Sequence, residues 1–359
     1  MAALHQCALD LGKHPWDRLA DGRVTGTLVW DGEPPLAVSV KIRGAHSRRF
    51  AKKSVQVDFP RAPFPDGPPE GHTVRRLHMN ADYVDPTLMR TALSYSLFTA
   101  FEAPAPLCRH TELMVSGDYA GLYLALESVD RHFLRRRGWQ AGPIYYALNR
   151  NANFGLLSPF SHELKQPLDS GYKPIHKADT APLRQMITDL NIASDRSFPA
   201  AAERWLDVRG YLTWLMLAVF VGNRDGFVHN YALYQDPESR RFRIIPWDYD
   251  ATWGIDINGR PARVDRVPLT GWNKLTYRLM STRRFRQLYK ERFEEALAGS
   301  LSSTALHERI DKLAAEVAPY IDKDQQRHGR NGSFATAVSR LKRWMEKRRT
   351  LLVQELERL

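Results

Sequence analysis

Four oxygen-bearing side chains stand where the hydrophobic pattern calls for core. "FVGNRDGFVHNYALY" (220–234) carries Asp225 and, five positions on, Asn230 inside an apolar and aromatic run. "IIPWDYDATWG" (244–254) adds Asp248 and Asp250. Carboxylates and an amide without Cys or His make a hard-oxygen donor set, suited to magnesium or manganese and not to zinc. A carboxylate beside such a set can orient a hydroxyl and take its proton. Each piece also has a plainer use, since Asp and Asn cap and turn a chain that leaves a buried helix. "DYDATW" fails as an EF-hand loop, because Gly254 is not at the sixth position and no Glu closes it. The weight rests on the four residues together, in this order.

The flanking elements explain how they would be positioned. The apolar run "YLTWLMLAVFVG" reads as a buried helix that delivers Asp225, and "NYALYQDPESRRFRIIPWD" reads as a hairpin that returns Asp248 alongside Asn230. Upstream, "RVTGTLVWDG", "LAVSVKIRG" and "KKSVQVDF" read as strands, followed by a Pro- and Gly-rich loop at 60–72. "DPTLMRTALSYSLFTAF" has a helix-start signature, with Asp85 as N-cap and Pro86 at the first helical position. Two further strands, "RHTELMVSG" and "GLYLALESV", precede a mostly helical remainder. The expectation is an α+β chain: an N-terminal segment (1–20), a lobe of antiparallel sheet with one helix (21–130), and a mainly helical lobe (131–359) that holds the hairpin.

Composition removes several classes. The 359 residues are 43% hydrophobic and 26% charged, which is ordinary for a globular chain. No run approaches the about 20 apolar residues of a membrane span. The first 22 residues lack a basic start followed by an apolar core, and there are only two cysteines, Cys7 and Cys108, so a reducing, cytoplasmic compartment is expected. The net charge of +12 comes from 52 basic and 40 acidic residues. The basic stretches "RGAHSRRFAKK", "RHFLRRR" and "RLKRWMEKRR" are dispersed and lack any nucleic-acid motif, so solvated faces, or an acidic or phosphorylated partner, account for them better than nucleic acid does. No phosphate loop, dinucleotide fingerprint, H-E-x-x-H or G-x-S-x-G is present.

Protein kinases use an Asp to orient the acceptor hydroxyl, an Asn five residues on, and a second Asp beyond a hairpin to hold magnesium. "NRDGFVHN" and "PWD" keep that spacing. The chain further resembles the spore coat protein H (CotH) kinase family, a group of atypical protein kinases. The resemblance is carried by "VKIRGAHSRRFAKKSVQVDF", "LHMNADYVDPTLMRTALSYSLF", "APAPLCRHTELMVSGDYAGLYLALESVDRHFLRRRG", "HELKQP" and "GNRDGFVHNYALYQDPESRRFRIIPWDYDATWG", in family order over residues 24–254. It implies a protein-kinase-like bilobal fold, ATP and magnesium as cofactors, and transfer of the γ-phosphoryl group to a protein hydroxyl of Ser or Thr. By the same match Asp225 corresponds to the catalytic-loop Asp, Asn230 to the loop Asn, and Asp248 to the D-F-G Asp; Asp250 is a further metal candidate.

Departures accompany the match. Asn223 replaces the usual His, "WDYD" replaces D-F-G, and no Gly-rich lid exists, its place falling to "RGAHSRRF". Strand alternation sets Lys53 on the face of Val55, Val57 and Phe59, which makes it the candidate for the phosphates, with Lys52 pointing outward. Arg43 is the second phosphate candidate, because its fork suits phosphate oxygens. Glu127, Ser128 and Val129 stand where a kinase hinge begins and would offer backbone groups to adenine. No acid in the inserted helix suggests itself as the lysine's partner. Glu163 and Lys165 of "HELK" belong to the site by resemblance or form a surface strand. Two other functions remain open: a non-catalytic binding or adhesion module, and a kinase-like enzyme that transfers AMP.

Overall fold

The computed structural model describes residues 4–60, 64–65, 73–175 and 178–359. The loop at 60–72 lies largely outside the described residues. The chain forms two compact units that do not follow chain order. The first holds Met1–Leu93, Pro106–Arg137 and Glu308–Arg340; the second holds Ser94–Ala105, Gly138–His307 and Leu341–Leu359.

The first unit is built on strands β1 (His5–Asp10), β2 (Val24–Trp30), β3 (Leu36–Ile42), β4 (Val55–Asp58), the short pair β5 (Phe64–Pro65) and β6 (Thr73–Val74), β7 (Arg76–Asn80), β8 (Cys108–Val115) and β9 (Asp118–Glu127). Seven of these close into a barrel in the order β1-β2-β3-β4-β7-β9-β8. The sequence pattern leads to an antiparallel sheet, and the structure corrects this to a closed barrel with one parallel pair. Closure comes from β1, which pairs antiparallel with β2 and parallel with β8, Cys7 standing opposite Leu113. Closure leaves no row of unpaired edge groups. Residues 5–10 belong to this barrel and not to a separate N-terminal segment, and they alternate as a strand must: Cys7 and Leu9 are buried, while Gln6, Ala8 and Asp10 are exposed. Their inward side chains join Leu28, Val40, Val57, Met79 and Leu113 in the barrel core. The β8–β9 turn has both Ser116 and Gly117 at positive φ, the mirror-type geometry that a two-residue hairpin loop needs.

Helices of the chain are α1 (Pro15–Asp21), α2 (Arg90–Ala100), α3 (Arg131–Arg136), α4 (Ala181–Ile192), α5 (Phe198–Trp205), α6 (Val208–Phe220), α7 (Lys274–Ser281), α8 (Arg283–Ala298), α9 (Ser303–Arg327) and α10 (Phe334–Glu357). Helix α2 starts at Arg90, four residues after Pro86. Asp85 still serves its start from within the preceding turn: its carboxylate accepts from the backbone of Met89 and Arg90, both at 2.9 Å, and from the Arg90 guanidinium. Those N–H groups would otherwise lack partners inside the helix.

The second unit contains a four-stranded antiparallel sheet, β11 (Tyr172–Pro174), β10 (Ile144–Ala147), β12 (Tyr231–Gln235) and β13 (Phe242–Pro246), in that order. The anticipated hairpin is its β12–β13 half, with Tyr231 opposite Pro246. Helix α6 is apolar on all sides because nearly every side chain from Tyr211 to Phe220 is buried. Its N-cap, Asp207, accepts from Gly210 N at 3.0 Å. No helix among the described residues is long and apolar enough to cross a membrane.

Candidate functional site

In the second unit, α6 ends at Phe220 and the chain turns through Gly222, whose φ is 72°. Two bonds fix the exit: Asn223 N donates to Ala218 O at 2.9 Å, and Trp253 N donates to Val221 O at 2.8 Å. Asp225 then opens a short 3-10 turn. The Asn223 side chain accepts from Gly226 N at 3.0 Å, Trp272 donates to Arg224 O at 3.0 Å, and Asn273 donates to Phe227 O at 2.9 Å. The loop is therefore held through its backbone, and the half-exposed Asp225 carboxylate makes no hydrogen bond or ion pair among the described residues. Asn273 and Trp272 escaped the sequence reading. The capping box that Asn273 forms with Thr276 at the start of α7 was the available signal.

The hairpin brings Asn230 and Asp248 to one end of the sheet. Trp247 N donates to Asn230 O at 3.2 Å, one step beyond the last β12–β13 pair, so Asp248 follows Asn230's own partner. Asn230 and Asp248 both adopt left-handed backbone, at φ 60° and 61°. Residues with a Cβ visit this region rarely, and such outliers concentrate at functional sites. Asp248 N donates no ladder bond; it reaches Tyr95 Oη at 3.2 Å. Beyond it the chain alternates: Tyr249, Thr252 and Trp253 are buried, while Asp248 and Asp250 stay half-exposed. Tyr249 packs on Tyr95 and Phe98, and Trp253 donates to Ser94 Oγ at 2.9 Å. Buried aromatics thus anchor the segment whose acids face outward. Among the described residues no three Asp, Glu, His or Cys side chains group closely enough to hold a metal by themselves. Magnesium held partly by nucleotide phosphates needs only one or two protein carboxylates, and an all-oxygen set of Asn230, Asp248 and Asp250 fits that demand.

Elsewhere in this unit, Lys165 of "HELK" is buried and donates to Asn151 O at 2.9 Å; burial pushes its pKa down to about 8. Glu163 is exposed. A cavity of about 660 Å³ is lined by Arg224, Arg266 and Trp272 among others.

In the first unit, the lysines are placed opposite to the alternation argument. Lys52 is the buried one: its ammonium donates to Asp324 Oδ1 at 2.7 Å and to Leu122 O, and lies 4.8 Å from the Tyr123 ring centroid. Lys53 is half-exposed and donates to Arg48 O at 2.6 Å. Strand β4 begins only at Val55, so its two-residue period does not extend back to 53. Asp324, on α9, also accepts from Leu122 N at 2.8 Å. Gly121 makes the approach possible, since a Cβ there would sit 2.5 Å from Asp324 Oδ1 and 2.9 Å from Lys52 Cε. Burial lowers the Lys52 pKa, and Asp324 opposes that shift. Asp82 is also buried, and desolvation with the neighbouring Asp85 charge pushes its carboxyl up to about 7.

Arg43 donates to Asn80 Oδ1, and its backbone N–H to Ser54 O. Glu127 is buried and paired with Arg136 at 3.4 Å and Arg137 at 3.0 Å, and its N–H donates to Leu107 O. Ser128 and Val129 are buried as well. Lys53 lines two adjoining cavities of about 300 and 330 Å³.

A family profile described as "CotH kinase protein" matches residues 40–352. The inner spore coat protein H of Bacillus subtilis (strain 168) is 36% identical over 308 residues, covering 82% of this chain and 83% of that protein. The inner spore coat protein H-like protein of the same organism is 24% identical, covering 69% and 72%. Among solved structures, the Helicobacter pylori proinflammatory kinase CtkA covers 74% of this chain and 90% of its own at 8% identity. The TM-score of that match is 0.31.

Proposed function

The chain belongs to the CotH kinase family, and from that premise we propose that it is an ATP- and magnesium-dependent protein kinase that phosphorylates a Ser or Thr hydroxyl. The observation that carries this reading is the paired left-handed backbone of Asn230 and Asp248 at the hairpin end, with the unengaged Asp225 carboxylate on the preceding turn. In the proposed reaction Asp225 accepts a hydrogen bond from the acceptor hydroxyl, aligns its oxygen on the γ-phosphorus and takes its proton as the new P–O bond forms. The bond from the γ-phosphorus to the bridging oxygen breaks, and ADP leaves with that electron pair. Asn230, Asp248 and Asp250 are the proposed magnesium ligands, and when bound the ion neutralises triphosphate charge. Manganese suits the same donors.

For the first unit, Arg43 and Lys53 are the proposed phosphate contacts, and the backbone of 127–129 the proposed adenine contact. Lys52, buried and held by Asp324, supports the wall of the cavity that Lys53 lines. A protein-kinase-like fold is part of the same proposal.

Incubation with magnesium and ATP labelled at either the γ- or the α-phosphate tests it, with transfer followed on protein acceptors. The γ-label is expected on Ser or Thr, and only with metal. Transfer of the α-label would mark an AMP transferase. Absence of both transfer and nucleotide binding would mark a binding module.

A further inference from the structure

A cavity of about 660 Å³ in the second unit opens beside the Asp225 loop and uses none of the residues assigned to the metal. Its size is in the ≈300–1,000 Å³ range of ligand sites. Two acids line it and both are engaged. Asp256 Oδ1 accepts from Asn258 N at 2.8 Å and Arg260 N at 2.9 Å, closing its own loop. Asp265 forms a two-pronged pair with Arg263, at 2.9 and 2.6 Å. Two lining cations have no such partner. Arg224 and Arg266 form no ion pair among the described residues, and the Arg224 guanidinium lies 6.0 Å from the ring centroid of the exposed Trp272.

The wall is rigid. Trp272 is tied to Arg224 O, and the buried Arg348 of α10 donates to Val264 O at 2.6 Å and to Val267 O at 2.7 Å, on either side of Arg266. Two arginines lining one cavity, one of them over an indole, can recognise planar or tetrahedral oxyanions.

We propose that this cavity is the acceptor-side specificity pocket, in which Arg224 and Arg266 bind an anionic side chain close to the hydroxyl to be modified. The proposal rests on the kinase reading. Arg224 adjoins Asp225, with Cα atoms about 3.8 Å apart. An extended peptide rises about 3.3 Å per residue, so an anion one to three residues from a hydroxyl at Asp225 reaches the pair. A carboxylate and a phosphoryl group share this chemistry. If the phosphoryl group is the stronger ligand, each modification prepares the next.

The test uses the full chain and peptides with one serine flanked by Asp, phosphoserine, Ala or Lys. Anionic peptides are expected to exceed the Ala peptide about tenfold or more in kcat/KM, mainly through KM, as charge-assisted bonds to arginine warrant. Arg266→Gln should remove the preference, Arg266→Lys should restore part of it, and both should melt like wild type. A folded Arg266→Gln that keeps the preference, or wild type that turns over all four peptides equally, overturns the proposal. A phosphoserine peptide without free hydroxyls is titrated in parallel by calorimetry. Binding that Arg266→Gln weakens supports the pocket even if no peptide is phosphorylated, in which case the kinase reading alone fails. Absence of binding in the wild type overturns the pocket whatever the transfer assay shows.

Discussion

Replacing Asp324 by Asn leaves the Lys52 ammonium in a fully buried site without its counter-charge, with only the neutral oxygens of Leu122 and the new amide as acceptors. Both side chains are at most 1% exposed, so water cannot screen or replace the lost partner. Breaking a buried pair from one side costs about 3–5 kcal/mol, because the surviving charge stays desolvated. Lys52→Met should cost a similar amount: it strands Asp324, whose nearest other cation is Arg330 at 3.9 Å. In the double variant Lys52→Met with Asp324→Asn no charge is stranded, and the introduced amide oxygen still accepts from Leu122 N. The expected coupling is about 2 kcal/mol or more, near the upper part of the range for contacting residues. Urea and thermal unfolding followed by circular dichroism measure all four proteins, and in the thermal melts the single changes should lower the Tm of the first unit by about 6–20 °C. Single losses below about 1 kcal/mol, or losses that simply add in the double variant, would refute the idea that this pair is dry and mutually dependent.

Asp82 gives a pH signature. Its native carboxyl binds a proton up to about pH 7, whereas the unfolded one releases it near 4, so the native state holds more protons between those values and stability falls as pH rises through that window, by about 4 kcal/mol in all. Asp82→Asn should flatten the profile and raise stability at pH 8, read from melts across pH 4–8. Asp248→Asn should lose metal-dependent ATP binding and turnover together. Asp225→Asn should keep much of its ATP binding and lose about 10²–10⁴-fold in transfer; equal loss of binding in both variants would remove the distinction. Arg348→Ala should destabilise the second unit by about 4 kcal/mol, since Val219, Val264 and Val267 each lose a buried donor; a denaturant midpoint within 1 kcal/mol of wild type would count against that role.

What the sequence revealed was mostly local. The spacing of Asp225, Asn230 and Asp248 was readable because one apolar helix and one hairpin position all three, and both have strong periodic signals. The hairpin's two further strands, β10 and β11, were not, since their short runs sit among loop residues with no alternation to mark them. Strand β1 had a readable two-residue pattern at Cys7 and Leu9, but its parallel partner lies about a hundred residues away, and pairing at that distance leaves no local trace. Lys52 and Lys53 face opposite to the alternation for a related reason. Alternation was carried past the start of β4, while the residue that draws Lys52 inside is Asp324, on a late helix where one acid among many has no distinguishing context. Gly121 was a silent signal of the same contact.

The interleaving of the first unit has a consequence for biosynthesis. Lys52 and Asp324 are separated by 272 residues, and a ribosome adding about 5–20 residues per second needs roughly 14–54 s to make that stretch. The barrel strands are complete in sequence by Glu127, so for most of that interval they are already synthesised, but the acid that balances Lys52 does not yet exist. The N-terminal strands therefore cannot reach their final state first and wait for the rest, as an ordinary leading domain does. Chains that terminate before residue 324 lack the acid that balances Lys52, so the first unit is complete only once most of the chain has been made.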